Sequence, residues 1–337
     1  MTTTTRQERL AARSLATLLD DTDAVLRHGS RAGAQVWGTG FPVLDDVLTG
    51  GFRSGELVLL GGPQGNGKTT LALQFLRNAV LAGGSGIFFS YEHESHTLIE
   101  RLISMEAAER DPGEVAEVRE VRAAFEAGSG GASLAEVLDA LPGAPAAYAA
   151  MRDYGDRLHV HESSGSKTTL DAIRIAATQV MELTGEAPFV LVDYLQKVPD
   201  AAPEENDRIT ATAEGLKDLA LDLGVPVVAI SAADKSSLAS GHRMRTHDLR
   251  GSSALAFEAD VVLILNDKVD IVSREHLVYD LGNSARFRDW SIVTLEKNRH
   301  GRAHIELEFA KDFDHGRFHT DGSEVRERLI DDRVIIT

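Results

Sequence analysis

Gly62-Pro63-Gln64-Gly65-Asn66-Gly67-Lys68-Thr69 meets every fixed position of the phosphate-loop pattern G-x-x-x-x-G-K-[ST]. The apolar run Leu57 to Leu60 before it reads as a buried strand. The segment after it, with Leu71, Leu73, Phe75 and Leu76 among good helix formers, reads as a helix. A strand, a glycine-rich turn and a helix N-terminus make an anion site, because backbone N–H groups point inward and the helix dipole favours negative charge. The predicted nucleotide-binding set is Gly62, Pro63, Gln64, Gly65, Asn66, Gly67, Lys68, Thr69 and Thr70. In it Lys68 reaches the β- and γ-phosphates and the Thr69 hydroxyl holds Mg²⁺.

Outward from this loop, strands and helices alternate. Strands are expected at 56–60, 86–91, 157–161, 188–193, 226–231 and 259–265, with helices such as 68–81, 168–184 and 206–223 between them. That alternation predicts an α/β fold with right-handed crossovers and a largely parallel sheet flanked by helices. Phe189-Val190-Leu191-Val192 is continuously apolar, as in a strand covered on both faces. Residues 106–150, rich in Ala, Glu and Gly, read as short helices and loops inserted at the rim. After residue 280 the pattern turns to antiparallel strands near 291–296, 304–310 and 316–319. Residues 8–27 form an amphipathic helix with Leu15, Leu18, Leu19, Val25 and Leu26 on one face. That stripe has three possible covers: its own domain, a neighbouring subunit or another partner. The expected organisation is a helical leader over 1–37 and one catalytic domain over 38–337.

Further residues complete a hydrolytic site. Asp193 follows the apolar run of a central strand, where a carboxylate sits beside the phosphate loop and can enter the Mg²⁺ shell. Hydrolysis also needs a carboxylate to orient the attacking water. Glu92, at the end of Ile87-Phe88-Phe89-Ser90-Tyr91, is the first candidate and Glu94 the competitor. Lys297 and Arg299 are two residues apart at a strand end, so both point to one side of an extended chain. They are either solvated edge charges or a pair that reaches the γ-phosphate held by a neighbouring subunit.

Composition narrows the classes. The chain has 337 residues, 43% hydrophobic, no cysteine and a formal net charge of -17. Disulfides and thiolate metal sites are excluded. No apolar run is long enough to span a membrane, and Met1 to Gln7 lacks the apolar core of a secretory signal, so the cytoplasm is the expected location. The acidity argues against nucleic-acid binding over the whole surface but leaves room for a narrow basic channel. Lys235, His242, Arg243, Arg245, His247 and Arg250 form such a basic stretch, in which Ser236, Ser237, Ser240 and Gly241 add flexibility. In a ring these copies line the pore and track a phosphate backbone. Without an aromatic residue the stretch offers no base stacking. It is otherwise a solvated surface loop.

From Gly38 to Phe318 the chain resembles the motor domain of the DnaB-type replicative helicases, within the RecA-like ATPase superfamily. The resemblance rests on Gly38-Thr39-Gly40-Phe41-Pro42-Val43-Leu44-Asp45 with Gly50-Gly51-Phe52 and Gly55-Glu56-Leu57, on Ser90-Tyr91-Glu92, and on Val192-Asp193-Tyr194-Leu195-Gln196. It continues through Leu216 to Ala220 and Val225 to Ser231, Asp248-Leu249-Arg250-Gly251-Ser252 with Ala259-Asp260, and Lys297-Asn298-Arg299 with Gly301. It implies a RecA-like P-loop NTPase core with ATP and Mg²⁺, Glu92 as the catalytic glutamate, and Lys297 and Arg299 as a trans-acting finger. It further implies a homo-oligomer, a hexameric ring or helical filament, acting on single-stranded DNA, for which Arg243, Arg245 and Arg250 of the basic stretch are the candidate contacts.

Three departures bear on function. The family's γ-phosphate-sensing glutamine is replaced, since Ala232 and Ala233 follow Ser231, and Gly251 stands where an acidic residue usually follows the arginine. The family's helical N-terminal domain is also missing, which argues against the main replicative helicase. An ATP-driven translocase or helicase is the first functional expectation. An ATP-controlled assembly or signalling protein without helicase activity is the alternative.

Overall fold

The structure, a computed structural model, describes residues 12–29, 32–111, 113–128, 130–234, 242–278 and 281–331. The chain divides into two compact units between Val36 and Trp37. In the first, the helix Leu15–Arg27 (α1) starts at Ser14, whose hydroxyl accepts the Thr17 N–H at 3.2 Å. Residues 8–11 of the expected helix lie outside the described residues.

The second unit is built on a ten-stranded sheet. Its strands in chain order are Leu57–Gly61 (β1), Gly86–Ser90 (β2), Leu158–Glu162 (β3), Phe189–Asp193 (β4), Val227–Ile230 (β5), Val261–Asp267 (β6), Trp290–Asn298 (β7), Ile305–Asp312 (β8), Arg317–Phe318 (β9) and Ser323–Glu324 (β10). In space they run β9-β8-β7-β6-β1-β5-β4-β2-β3, with β10 also on β8. From β6 to β3 every pairing is parallel, and from β6 to β9 every pairing is antiparallel. The α/β fold with a largely parallel sheet and an antiparallel C-terminal wing is as the sequence predicted.

Strand periodicity explains the unbroken apolar runs. Val58, Leu60, Phe88, Leu191, Val228 and Ile230 face one side of the sheet and pack with Leu71, Phe75 and Leu76 of the helix Lys68–Leu81 (α2). Leu57, Leu59, Ile87, Phe89, Val190, Val192, Val227 and Ala229 face the other side. There they meet Ile173, Ala177 and Val180 of Leu170–Thr184 and Ile209, Leu216 and Leu219 of Glu205–Leu223. Strands buried on both faces have no solvent side, so their alternation of apolar and polar residues disappears.

Helix 68–81 has the expected bounds, and 168–184 and 206–223 fall within two residues of those observed. The expected strand 259–265 starts later, at Val261, because Asp260 is used as an anchor. Its Oδ2 accepts the Leu57 N–H at 2.8 Å and the Lys217 ammonium at 2.7 Å.

The rim segment is more ordered than its composition implied. Residues 106–110 belong to a longer helix, Ser95–Arg110 (α3), followed by Val118–Glu126 (α4), Leu134–Leu138 (α5) and Ala144–Tyr154 (α6). Ile103, Ala107, Val115, Val121, Leu138, Ala144 and Ala147 give it a small core of its own. A buried carboxylate ties it to α2. The Glu106 oxygens accept from Arg77 Nε at 2.6 Å and Nη2 at 2.8 Å, and the Tyr154 hydroxyl donates to Glu106 at 2.9 Å. Burial alone would raise the Glu106 pKa, but these donors hold it below the usual range. Removing one partner of such a pair strands the other charge. Glu106→Ala is expected to destabilise the domain by about 3–5 kcal/mol in denaturant titrations. Arg77→Met combined with Glu106→Leu should recover most of that loss.

Candidate nucleotide-binding site

The carboxyl ends of β1, β5, β4 and β2 lie side by side, as the registers Leu60↔Ile230, Val192↔Ala229 and Ser90↔Asp193 require. Residues just beyond these ends therefore converge. A cleft of about 540 Å³ opens there, with Gly62, Gln64, Gly65, Gly67, Lys68, Thr69 and Thr70 on one side. Glu92, Asp193, Ala232 and Ala233 line the same cleft. Of the predicted loop residues, Asn66 is buried and Pro63 contributes a carbonyl.

The loop's glycines are needed for shape. Gly62 has φ +153, and a β-carbon on it would lie 2.6 Å from the Leu265 carbonyl oxygen. Gly67, the residue before α2, has φ +87. The Lys68 ammonium donates to the carbonyls of Gly62 at 2.9 Å and Pro63 at 2.7 Å. Burial lowers its pKa, opposed by the charges of Asp193 and Glu92.

The Thr69 hydroxyl donates to Asp193 Oδ2 at 2.7 Å, joining the first turn of α2 to the end of β4. Asp193 is 1% exposed. Burial pushes its carboxyl pKa up to about 6, with Glu92 adding to the rise and Thr69, Lys68 and Arg101 opposing it. Glu92, His93 and Asp193 each offer a ligand atom, all within 4.8 Å of one another. A buried carboxylate beside a hydroxyl and a second carboxylate is a hard oxygen donor set, which fits Mg²⁺. Both competing glutamates are exposed; Glu92 lines this cleft, whereas Glu94 pairs with His96 at 3.3 Å.

Lys297 and Arg299 are at the far end of the sheet. Asn298 pairs with Val261, which pairs with Val58, four residues before the phosphate loop. That separation is about 13 Å along the strands, before any sideways offset between β1 and β7. Here Lys297 Nζ donates to the Ala256 carbonyl at 2.7 Å. Arg299 donates to the Phe257 carbonyl at 2.9 Å and pairs with Asp260 at 3.4 Å.

The basic stretch needs correction. Arg243 is 3% exposed, donates to Thr294 at 3.2 Å and pairs with Glu306. It is thereby withdrawn from any backbone-contacting surface. Arg245 pairs with Glu296 at 2.8 Å and Asp331 at 2.7 Å. Arg250 pairs with Glu205 and is 41% exposed. Lys235, Ser236, Ser237, Ser240 and Gly241 lie outside the described residues.

Sequence reading did not single out Arg101, Phe313 or Gln196. Arg101 and Phe313 line the cleft from α3 and from the turn after β8, 39 residues or more beyond Gly62. Gln196 lies beside Ser231 and Ala232. Its Nε2 donates to Ser231 Oγ at 2.9 Å and to the Arg250 carbonyl at 3.2 Å, and its Oε1 accepts the Ala232 N–H at 3.0 Å. The Arg250 N–H returns to the Ala232 carbonyl at 3.1 Å, and Ala233 bridges Leu249. Its only sequence signal was its place in Asp193-Tyr194-Leu195-Gln196.

Fold and loop together define a RecA-like P-loop architecture. The family model described as DnaB-like helicase C terminal domain matches residues 146–319, and one described as KaiC matches residues 37–127. The chain belongs to the DnaB-like helicase C-terminal domain family. Replicative DNA helicase DnaB of Rhodothermus marinus is 30% identical over 311 residues, covering 88% of this chain and 30% of that protein. Its counterpart in Treponema pallidum (strain Nichols) is 29% identical over 231 residues, covering 68% and 47%. The one from Mycoplasma pneumoniae (strain ATCC 29342 / M129 / Subtype 1) is 28% identical over 287 residues, covering 81% and 55%. The chain thus spans 30–55% of the length of these relatives.

Among solved structures, the ATPase domain of G40P superposes with a TM-score of 0.70 at 21% identity, covering 91% of this chain and 99% of that one. A DnaB-like replicative helicase, solved to describe its interactions with primase, gives 0.67 at 20% identity, covering 91% and 67%. At these identities the likeness is one of fold. No helix among the described residues is long and apolar enough to cross a membrane.

The raised Asp193 pKa carries a sign. Below about 3.8 both folded and unfolded chains hold the proton and burial costs nothing. As pH rises through about 6 the buried group ionises, and folding loses roughly 3 kcal/mol for a shift of about two units. Asp193→Asn is therefore expected to raise the unfolding free energy of nucleotide-free protein at pH 8 by up to about 3 kcal/mol. That gain should shrink towards pH 4, as read from denaturant midpoints at the two pH values.

Proposed function

We propose that this domain hydrolyses ATP with Mg²⁺ as a homo-oligomer, a ring or filament in the cytoplasm, and uses the energy to translocate on single-stranded DNA. The observation that carries the reading is the gathering of Lys68, Thr69, Glu92 and Asp193 in one cleft at the carboxyl edge of the sheet. Backbone N–H groups of the loop and Lys68 bind the phosphates, which replace the carbonyl partners of the ammonium. Thr69 and Asp193 would hold Mg²⁺, which supplies charge neutralisation on the β- and γ-phosphates when bound. Glu92 orients the attacking water.

Lys297 and Arg299 act on the nucleotide of a neighbouring copy. This is supported by their position at the opposite edge from their own loop. Arg250 is the proposed DNA contact of this stretch, because Arg243 is buried and Arg245 is doubly paired. That neutralisation also favours a second reading, an ATP-controlled assembly protein that moves nothing. Stimulation of hydrolysis by single-stranded DNA separates the two.

Lys68→Ala is expected to lower turnover at least 100-fold, roughly, without unfolding the domain. Glu92→Gln should keep ATP bound and slow hydrolysis by about 10²–10⁴. Arg299→Ala should cut hydrolysis by the assembly about 10³-fold or more while leaving nucleotide affinity intact. Mixing Arg299→Ala with Lys68→Ala subunits should restore part of the activity. Mixed assemblies without any recovery would refute a finger acting between copies.

Arg250→Ala should weaken single-strand binding and flatten its salt dependence by about 0.7 per lost phosphate contact. Because Ala232 and Ala233 offer no side-chain hydrogen bond, DNA should stimulate hydrolysis by about fivefold or less, roughly 1 kcal/mol of coupling. Absence of single-strand binding at low salt by the assembled, ATP-bound protein would leave the assembly-protein reading in its place.

A further inference from the structure

Three side chains converge in the cleft with donor atoms to spare. Glu92, His93 and Asp193 bring one ligand atom each, all within 4.8 Å of one another. Asp193 is 1% exposed, and Thr69 uses only its Oδ2, so no hydrogen-bond donor among the described residues reaches Oδ1. Neither the His93 ring nor the Glu92 carboxylate has a hydrogen bond or an ion pair among the described residues. Buried polar groups are ordinarily paired, and an exception of this kind asks for a ligand.

The backbone brings the three together. The Ser90 hydroxyl donates to the His93 carbonyl at 2.6 Å and accepts the His93 N–H at 3.0 Å. The Tyr91 N–H donates to the Asp193 carbonyl at 2.8 Å, which ties the end of β2 to the end of β4. The cations of the cleft do not fill the gap. Lys68 spends its ammonium on the Gly62 and Pro63 carbonyls, and Arg101 makes no hydrogen bond to either carboxylate.

Two donors on one ion, each about 2.1 Å from it, lie about 3 Å apart when adjacent and about 4.2 Å apart when opposite. A small change of side-chain torsion therefore closes this set on an ion. Carboxylate oxygens alone suit Mg²⁺, whereas an imidazole nitrogen suits Zn²⁺ and its first-row neighbours. We propose that the nucleotide-free cleft binds a first-row transition cation of the Zn²⁺ class through Glu92, His93 and Asp193, in preference to Mg²⁺. This rests on the metal and nucleotide reading of the cleft, from which it takes Asp193 as a ligand. The two roles of Glu92 exclude each other, since a carboxylate bound to the ion cannot orient the attacking water. The transition cation and ATP with Mg²⁺ therefore compete for the cleft.

The test titrates the nucleotide-free full chain with Co²⁺ and, separately, with Mg²⁺ by calorimetry. Co²⁺ stands in for Zn²⁺ because it is paramagnetic and moves the N–H proton of a ligating imidazole far outside the ordinary proton NMR range. Wild type, His93→Gln and Asp193→Asn are used, and thermal unfolding verifies that each is folded. Wild type should bind Co²⁺ about 100-fold or more tightly than Mg²⁺ and show the shifted imidazole proton. His93→Gln keeps an oxygen donor but no imidazole. It should lose the shifted proton and about tenfold or more of the Co²⁺ affinity, with Mg²⁺ affinity unchanged to within about threefold. Asp193→Asn should weaken both ions.

An unchanged ratio of Co²⁺ to Mg²⁺ affinity in His93→Gln overturns the proposal. So does a shifted imidazole proton that survives in that variant, because the nitrogen then comes from another histidine. ADP with Mg²⁺ is titrated into the same preparation, with and without saturating Co²⁺. If it binds while Co²⁺ does not, the transition-metal site fails and the nucleotide reading stands. If it binds equally well in both, the two do not share a cleft and the proposal fails. If neither ADP nor Co²⁺ binds, both readings fall.

Discussion

The hydrogen bond from Thr69 to Asp193 joins residues 124 positions apart and sets the geometry of the cleft. One end belongs to the helix that the phosphate loop starts, the other to the buried tip of β4. Keeping a carboxylate 1% exposed is costly, as its pKa of about 6 records. The surrounding core holds it there. Each of β1, β2, β4 and β5 is buried along its whole length, so none can slide to bring Asp193 into water without uncovering apolar surface on both faces. The position of Glu92 follows from the same constraint, because Ser90 is in register with Asp193.

A parallel sheet has two unlike edges. The carboxyl edge carries the loop, Asp193 and Glu92, while Lys297 and Arg299 lie at the end of β7, beside the start of β6. This polarity makes a site shared between copies the natural reading of the two cations. It also gives Gln196 its interest. Placed just after β4, it ties the end of β5 to Arg250 through three hydrogen bonds. The ladder of Ala232 to Asp234 with Asp248 to Arg250 is thereby anchored to the wall of the cleft.

Charge density along the chain was a poor guide to exposed charge. Arg243 and Arg245 read as part of a basic stretch, yet their partners Glu296, Glu306 and Asp331 lie 51 to 86 residues away. Ion pairing in space cancels what clustering in sequence suggests. In contrast, residues 106–150 looked loose by composition but are secured by the buried Arg77–Glu106 pair and by a small apolar core.

The sequence by itself determined the order of strands and helices, the phosphate loop and the family resemblance. These depend on local patterns: apolar runs, helix periodicity and a motif whose glycines have backbone reasons to be there. It placed helix 68–81 with its observed ends and most strands to within a residue or two. The tertiary structure decided which side chains meet. It put Glu92 in the wall of the cleft, paired Thr69 with Asp193 and brought Arg101 and Phe313 there. It also removed Arg243 from the surface. The physical reason is that contacts between distant segments are set by strand order and register, and those are settled only when both faces of the sheet are packed at once.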